Sequence, residues 1–289
     1  MTLIAACALL VGGCDAPGGS SSDSSDAYSK GIEALEMFDF NEAYKQLSKY
    51  QPNLSPKDKN WLDATYAYAI SSWHRPPPRK ETIDQAVELF NELLAADIPE
   101  DWKARVRLSL GRIYEVDDYT GDSIDLEKAR GFYQEVAKQY PTGELGYQAT
   151  LRLAQTYVQQ LNPEAIDKGV ELLKQRIKQD PDSPWASLSY QYLGDLYANY
   201  YEDIAAALEC YQHAEVIGFA NESQAHFYLW QMSKWANQLG QQEEAVRLWT
   251  KVVEDYPRSP YGTVSRDHVR AYVNEHPESG ITPPELKTW

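Results

Sequence analysis

Apolar residues recur every three or four positions along the chain after about Asp26, which is the spacing of one face of an amphipathic α-helix. Sustained alternation of apolar and polar residues, the sign of a half-buried β-strand, does not occur there. Prolines and glycines interrupt the pattern at intervals and are expected to end helices or form turns. The pattern therefore predicts an all-α body made of many short helices.

The helical pattern repeats along the chain in two distinct halves. One half has a small residue, an aromatic residue four positions later, an apolar residue three positions further and then a proline, and it occurs at 129–141 and 245–257. The other half, Leu-Gly-x-x-Tyr, occurs at 110–114 and 193–197. Together the two halves resemble the tetratricopeptide repeat, a helix–turn–helix unit of about 34 residues.

Positions at which paired helices are expected to pack closely recur at a regular interval. In the predicted second helices they are Ala43, Ala86, Ala129, Gly169, Ala207 and Ala245, and in the first helices Gly31, Tyr68, Gly111, Ala154, Gly194 and Ser233. The spacing predicts six helix–turn–helix units, followed by an unpaired capping helix from about Ser259 to Glu275. The longest insertions fall in turns, as the proline run at 75–80 requires. The resemblance implies that the units stack into a right-handed superhelix, an α-solenoid.

The first 13 residues have the composition of a secretory signal. Residues 3–11 are almost entirely apolar and too few to span a membrane as a helix. The run that ends at Cys14, Val-Gly-Gly-Cys, resembles a bacterial lipobox, which implies that Cys14 is acylated and begins the mature chain. A similar run ends at Cys7 after a much shorter apolar region, and a buried N-terminal helix is the structural alternative.

These signals predict the organisation of the chain and its place in the cell. We expect a lipoprotein signal peptide at 1–13, a flexible Gly/Ser/Asp tether at 14–26, the repeat domain at 27–276 and a C-terminal tail at 277–289. We further expect the protein to face the periplasm in the bacterial cell envelope, at the inner or the outer membrane, and to meet that membrane only through its lipid.

The charge balance narrows the classes of partner. The chain has 27 Lys and Arg against 43 Asp and Glu, a net charge of −16. Nucleic-acid phosphates and anionic lipid headgroups both need neutralising cations, so the balance excludes unassisted binding to either. An acidic surface favours basic or neutral partners.

Two loops between repeats indicate a particular branch of the resemblance. The segments 180–185 and 255–261 both end in Ser-Pro followed by an aromatic residue, an order that caps and starts the next helix. These longer connections resemble the periplasmic branch of tetratricopeptide-repeat lipoproteins, of the barrel-assembly and Tol–Pal coordinator types. The resemblance implies a role in cell-envelope or outer-membrane protein assembly.

The sequence offers no motif for catalysis, phosphate binding or metal binding. It contains no Gly-rich phosphate loop, no His-Glu-x-x-His and no Gly-x-Ser-x-Gly. We interpret His213 and His226 as helix-surface residues and Cys210 as a buried apolar one. The acidic run 117–125 has its glycine misplaced for an EF-hand and is interpreted as a solvated loop. We predict no catalytic residue, no metal, no cofactor and no small-molecule substrate.

The resemblance also places a binding surface. In tetratricopeptide repeats, first-helix residues beside the Leu-Gly pair line a concave groove. The corresponding residues are Arg105 and Arg112 in the third repeat, Gln155 in the fourth, Asp195 in the fifth, and Trp230 and Lys234 in the sixth, with Glu115, Gln191 and Phe227 at further positions of this kind. The leading hypothesis is a non-enzymatic scaffold that binds proteins or peptides in this groove. The alternative is an enzyme, or a regulatory subunit of a cell-wall enzyme.

Overall fold

A computed structural model of the chain describes residues 22–119 and 121–285, and in these ranges the fold is all-α, without a β-strand. The α-helices are α1 (Ser22–Glu36), α2 (Phe40–Tyr50), α3 (Trp61–His74), α4 (Lys80–Ala95), α5 (Glu100–Glu115), α6 (Leu126–Gln139), α7 (Gly143–Val158), α8 (Pro163–Gln179), α9 (Ala186–Asn199), α10 (Ile204–Ile217), α11 (Ala225–Gln238), α12 (Gln242–Asp255) and α13 (Gly262–Glu275). Short 3-10 turns lie at Gln51–Asn53, Glu222–Gln224 and Pro277–Ser279. The described part of the chain contains no helix long and apolar enough to cross a membrane.

Successive helices form the six predicted pairs. Helices α1 and α2, α3 and α4, α7 and α8, α9 and α10, and α11 and α12 pack directly on each other, and α5 packs on α6 through Gly111 and Tyr133. Helix α13 packs on α12, as expected of a capping helix. The chain divides into two compact units, Met1–Lys138 and Gln139–Trp289, which we call unit 1 and unit 2. The predicted array of six helix pairs and a cap is therefore confirmed.

The ends of the repeat domain differ in detail from the prediction. Helix α1 begins at Ser22, so the predicted tether at 14–26 overlaps the first helix. The reason is local, because serine and aspartate are also residues that favour the first turn of a helix. The predicted signal peptide at 1–13 lies outside the described residues. Within the predicted tail, Ile281 packs against the core of unit 2.

Close approach of paired helices depends on the small residues that the sequence singled out. A Cβ at Gly111 would lie 2.5 Å from Cε1 of Tyr133, and one at Gly194 would lie 2.6 Å from Cδ2 of Tyr211. Both tyrosines stand four residues after the small residue of the second helix, as the repeat predicts. A missing side chain on one helix thus makes room for a ring on the other.

The tyrosines at these positions also make polar contacts across the pair. Tyr133 Oη donates to Glu115 Oε2 at 2.7 Å, and Tyr211 Oη donates to Asp195 Oδ1 at 2.6 Å. Burial, together with the neighbouring carboxylate, raises the pKa of Tyr211 above its usual range. The rings fill the core and each hydroxyl ends on a polar group of the partner helix, which a phenylalanine could not do.

Candidate binding surface

Three exposed apolar side chains occupy the same position in successive first helices of unit 2. Leu188 and Phe227 each stand six residues before the close-packing residue of their helix, Gly194 and Ser233 respectively, and Val264 has the corresponding place in α13. Their exposed fractions are 41%, 39% and 48%. We call these three residues the apolar row. Large apolar side chains left exposed in register are a mark of an interaction surface.

An aromatic cluster adjoins the apolar row between α11 and the start of α13. The rings of Trp230 and Tyr261 stack with centroids 4.5 Å apart, and Phe227 lies 6.5 Å from Trp230 and 6.1 Å from Tyr261. Lys234 Nζ lies 4.5 Å from the centroid of the Trp230 ring. The predicted residues Trp230 and Lys234 therefore come together, and they offer an aromatic surface beside an exposed ammonium group.

The other two predicted residues of unit 2 are partly engaged in local contacts. Asp195 is exposed but accepts the hydrogen bond from Tyr211, while partial desolvation raises its pKa above the usual range. Gln155 is half-buried, and its Oε1 accepts from Arg152 Nη1 at 3.1 Å. Gln191, expected at the surface, is instead buried and accepts a hydrogen bond from the backbone N–H of Ala220.

In unit 1 the two predicted arginines lie on α5 and differ in role. Arg105 is half-buried at the helix surface. Arg112 Nη1 forms an ion pair at 3.0 Å with Glu115, whose side chain is only 3% exposed. Glu115 was expected to line the groove, but it is buried because its carboxylate also accepts from Tyr133. Arg112 thus neutralises a buried charge, a role that the Arg-x-x-Glu spacing on one helix face could have indicated.

The histidines and the cysteine that were considered for catalysis or metal binding are engaged in local packing. His213 stacks on Tyr190 with ring centroids 4.9 Å apart, whereas the ring of His226 packs near Tyr261. Cys210 is buried, which raises the pKa of its thiol to about 12. Among the described residues, no three His, Cys, Asp or Glu side chains stand close enough to hold a metal ion.

The acidic run 117–125 uses its carboxylates to order its own loop. Asp118 Oδ2 accepts from Trp73 Nε1 at 3.0 Å, and burial raises the pKa of Asp118 to about 6. Asp122 accepts from the backbone N–H groups of Asp118 and Ser123. Asp125 Oδ1 accepts from the backbone N–H of Lys128 in the first turn of α6. These hydrogen bonds explain why acidic residues recur in the run 117–125.

Sequence reasoning missed two members of the apolar row. Leu188 and Val264 were not singled out, although counting six residues back from each close-packing position would have found them. Trp185 lies at the start of α9 and is 48% exposed. It therefore adds to the apolar surface of unit 2.

The helix pairs of this chain are repeats of a known kind. A family model described as tetratricopeptide repeat matches residues 228–259, which include most of α11 and the whole of α12. Residues 228–259 form a tetratricopeptide repeat. No curated protein matches the chain in sequence.

Three solved structures are similar to the chain at low sequence identity. PilF of Pseudomonas aeruginosa is 17% identical, with 88% of this chain and 97% of that chain covered and a TM-score of 0.49. PilW, a widely conserved type IV pilus biogenesis factor, is 14% identical, with coverage of 85% and 99% and a TM-score of 0.49. The RpL4 assembly chaperone Acl4 is 12% identical, with coverage of 88% and 98% and a TM-score of 0.47.

Proposed function

We propose that this protein is a non-enzymatic scaffold that binds protein or peptide partners on the first helices of its repeats. The apolar row of Leu188, Phe227 and Val264 carries the proposal, because the three side chains are exposed at one repeat position. A repeat array that only needed to stay folded would gain nothing from them there. A partner that covers them removes apolar surface from water.

The side chains of this surface indicate which kind of partner segment would bind there. Burying one Leu, Phe or Val side chain fully is worth about 1.5–3 kcal/mol, so a partner with matching apolar side chains gains affinity from each member of the apolar row. The stacked rings of Trp230 and Tyr261 provide a flat face for an aromatic or aliphatic side chain. Lys234 adds a positive charge at that end, which favours an acidic group on the partner beside its apolar residues.

The binding test compares a variant of this surface with one altered elsewhere in unit 2. Phe227→Ser with Lys234→Glu removes the apolar side chain and reverses the charge. Val216→Ser is the matched control, because Val216 is 88% exposed near the C-terminal end of α10. Affinity isolation from the host cells, with quantitative mass spectrometry, should recover the partner with wild type and the control but not with the double variant. Equal recovery with all three proteins would refute the proposal.

A variant of Arg112 in unit 1 would not test partner binding cleanly. Arg112→Glu would place a second carboxylate beside the buried Glu115 and is expected to destabilise α5. Arg105→Glu alone alters the surface without touching that ion pair.

We also propose that the mature protein is anchored through an acylated Cys14 and faces the periplasm. The lipobox-like run and the apolar residues before it support this proposal. Cys14→Ala should move the protein from the membrane fraction to the soluble fraction, whereas Cys7→Ala should leave it with membranes. Membrane retention of the Cys14→Ala protein would contradict the anchor.

A role in cell-envelope assembly is the finer form of the proposal. It is supported by the Ser-Pro-aromatic connections at 180–185 and 255–261, which resemble those of periplasmic repeat lipoproteins. Depletion in the host should lower the amount of folded outer-membrane protein. Restoration by wild type but not by the Phe227→Ser/Lys234→Glu variant would connect this role to the binding surface, and unchanged outer-membrane protein on depletion would oppose it.

A further inference from the structure

The turns inside the repeats of unit 2 share one backbone conformation. Leu161, Glu202 and Gly240 have φ values of 52°, 56° and 73°, and each directly precedes the N-cap position of the second helix of its repeat. Asn162 and Asp203 perform that capping by accepting a backbone N–H three residues later. The left-handed conformation favours glycine, which is what the third of these turns contains.

Leucine at position 161 is therefore unfavourable for folding. Its backbone is in the left-handed region, and its side chain is 81% exposed, so packing offers no compensation. The turn between α1 and α2 of unit 1 independently shows the same choice, with Phe38 at φ 58° and 45% exposed. A strained and exposed apolar residue that glycine could replace indicates a role outside folding.

Further apolar side chains stand at the equivalent turns of unit 2. Tyr200 and Tyr201 in the α9–α10 turn are 41% and 37% exposed, and Leu239 in the α11–α12 turn is 37% exposed. Equivalent turns of stacked repeats lie along one edge of the array. We call Leu161, Tyr200, Tyr201 and Leu239 the turn edge. It is separate from the apolar row, whose residues lie before the close-packing position of each first helix rather than after its end.

Acidic residues predominate beside the turn edge. The segments 159–164, 200–204 and 238–244 contain five acidic residues and no Lys or Arg. Glu164, Glu202 and Glu243 are exposed there. A surface recess of about 710 Å³ adjoins the last of these turns; Glu243 lines it, as do Glu244 and Arg247, which form an ion pair at 2.7 Å. The recess therefore keeps an excess of negative charge. The complementary partner therefore carries apolar side chains flanked by positive charge.

The repeat spacing selects the form of that partner. Helices α7 and α9 contact each other directly, so their axes and the turns at their ends are about 10 Å apart. Two turns of an α-helix rise about 10.8 Å, so apolar residues seven positions apart match this interval. We propose that the turn edge is a second docking surface, which binds an amphipathic helix with basic flanks from a partner protein.

Photocrosslinking in the native host with the full-length chain tests this proposal. We would place p-benzoylphenylalanine at position 161, and at position 216 as the control. Val216 is 88% exposed against 81% for Leu161, and it lies at the opposite end of α10 from the turn edge. The expected result is at least tenfold more adduct at 161, formed with a partner segment of net positive charge and apolar residues at seven-residue spacing. Leu239→Ser in the same chain should lower the yield at least fivefold.

Several outcomes would overturn the proposal. They are equal yields at 161 and 216, an adduct with lipid, an adduct with a second copy of this chain, and an adduct with an acidic segment. Leu161→Gly serves as the folding control and should leave the melting temperature unchanged or raise it, because glycine fits the backbone of that turn. The Phe227→Ser/Lys234→Glu variant separates the two surfaces. If the adduct at position 161 forms equally well in that variant, the turn edge binds independently of the apolar row. If the adduct is lost, the two surfaces are one site and the proposal of a separate docking edge is wrong.

Discussion

Replacing Gly194 with alanine would put a methyl group where the ring of Tyr211 already lies. The new Cβ would stand 2.6 Å and 2.8 Å from two ring carbons and 3.2 Å from the carbonyl oxygen of Ala207. Carbon atoms normally approach to about 3.5–4.0 Å, so the ring would have to move by about 1 Å. It is poorly placed to do so, because it is 4% exposed, packs edge-on against Trp235 and is held by its bond to Asp195.

The expected magnitude is the difference between two opposing effects. Inserting a methyl group into a packed core costs about 1–3 kcal/mol, whereas alanine is favoured over glycine inside a helix by about 1 kcal/mol. Because the ring is restrained on several sides, we expect a cost in the upper part of that range and a net loss of about 1–2 kcal/mol. Gly131→Ala is the matched control, since a Cβ built there meets no atom within 4 Å beyond its chain neighbours and its own helix backbone, and it should stabilise by up to about 1 kcal/mol.

Urea unfolding followed by circular dichroism measures both variants. Repeats can unfold separately, so hydrogen exchange in α9 and α10 should report the loss locally. In the double variant with Tyr211→Ala the cost of Gly194→Ala should vanish, which a double-mutant cycle would record as coupling. An unfolding midpoint for Gly194→Ala at or above that of wild type would refute the packing argument.

Three further predictions concern buried polar groups. Because burial raises the pKa of Asp118 to about 6, its contribution to stability should fall as pH rises from about 4 to about 6 and stay constant above, and the indole N–H resonance of Trp73 should titrate with a midpoint near pH 6. Cys210 should resist alkylation at pH 8 in the folded protein and react once unfolded, because burial raises its pKa to about 12. Arg176→Met should cost about 2–3 kcal/mol in urea unfolding, since the buried guanidinium donates to two backbone carbonyls in the loop before α7.

Each of these predictions has its own control. Asp118→Asn should abolish the titration of the Trp73 resonance, and a resonance that does not move between pH 4 and 8 in wild type would contradict the assigned pKa. Rapid labelling of Cys210 in folded protein, located by peptide mass spectrometry, would show that the thiol is accessible. An Arg176→Met protein that unfolds at the wild-type midpoint would mean that the two carbonyl contacts do not stabilise unit 2.

The repeat pattern was predictable because it is set by local packing rules. A small residue on one helix and a large one on its partner follow from the distance between the helix axes, so Gly111 with Tyr133 could be found by counting. Trp230 and Lys234, four residues apart on α11, could likewise be expected on one helix face, and they contact each other. The helix pairs and the capping helix depend on these rules alone.

The features that could not be predicted depend on contacts between distant residues or on backbone angles. Glu115 is buried because Tyr133, eighteen residues later, donates to it, and spacing within α5 does not reveal that bond. The left-handed backbone conformation at Leu161 cannot be predicted from a leucine, because leucine rarely adopts it. Of the equivalent turn positions, only Gly240 has a residue that favours this conformation. The overlap of α1 with the predicted tether arises because one composition suits both a linker and the first turn of a helix.

The polar contacts between paired helices have a consequence for how the chain reaches its native state. A chain of similar repeats risks pairing a first helix with the wrong second helix during folding. The polar partners differ from pair to pair: Tyr68 receives a hydrogen bond from Gln85, Tyr133 donates to Glu115, and Tyr211 donates to Asp195. A mispaired helix would leave a buried hydroxyl or carboxylate without a hydrogen-bond partner, which destabilises the mispaired state. The apolar contacts alone would not distinguish the correct pairing so clearly.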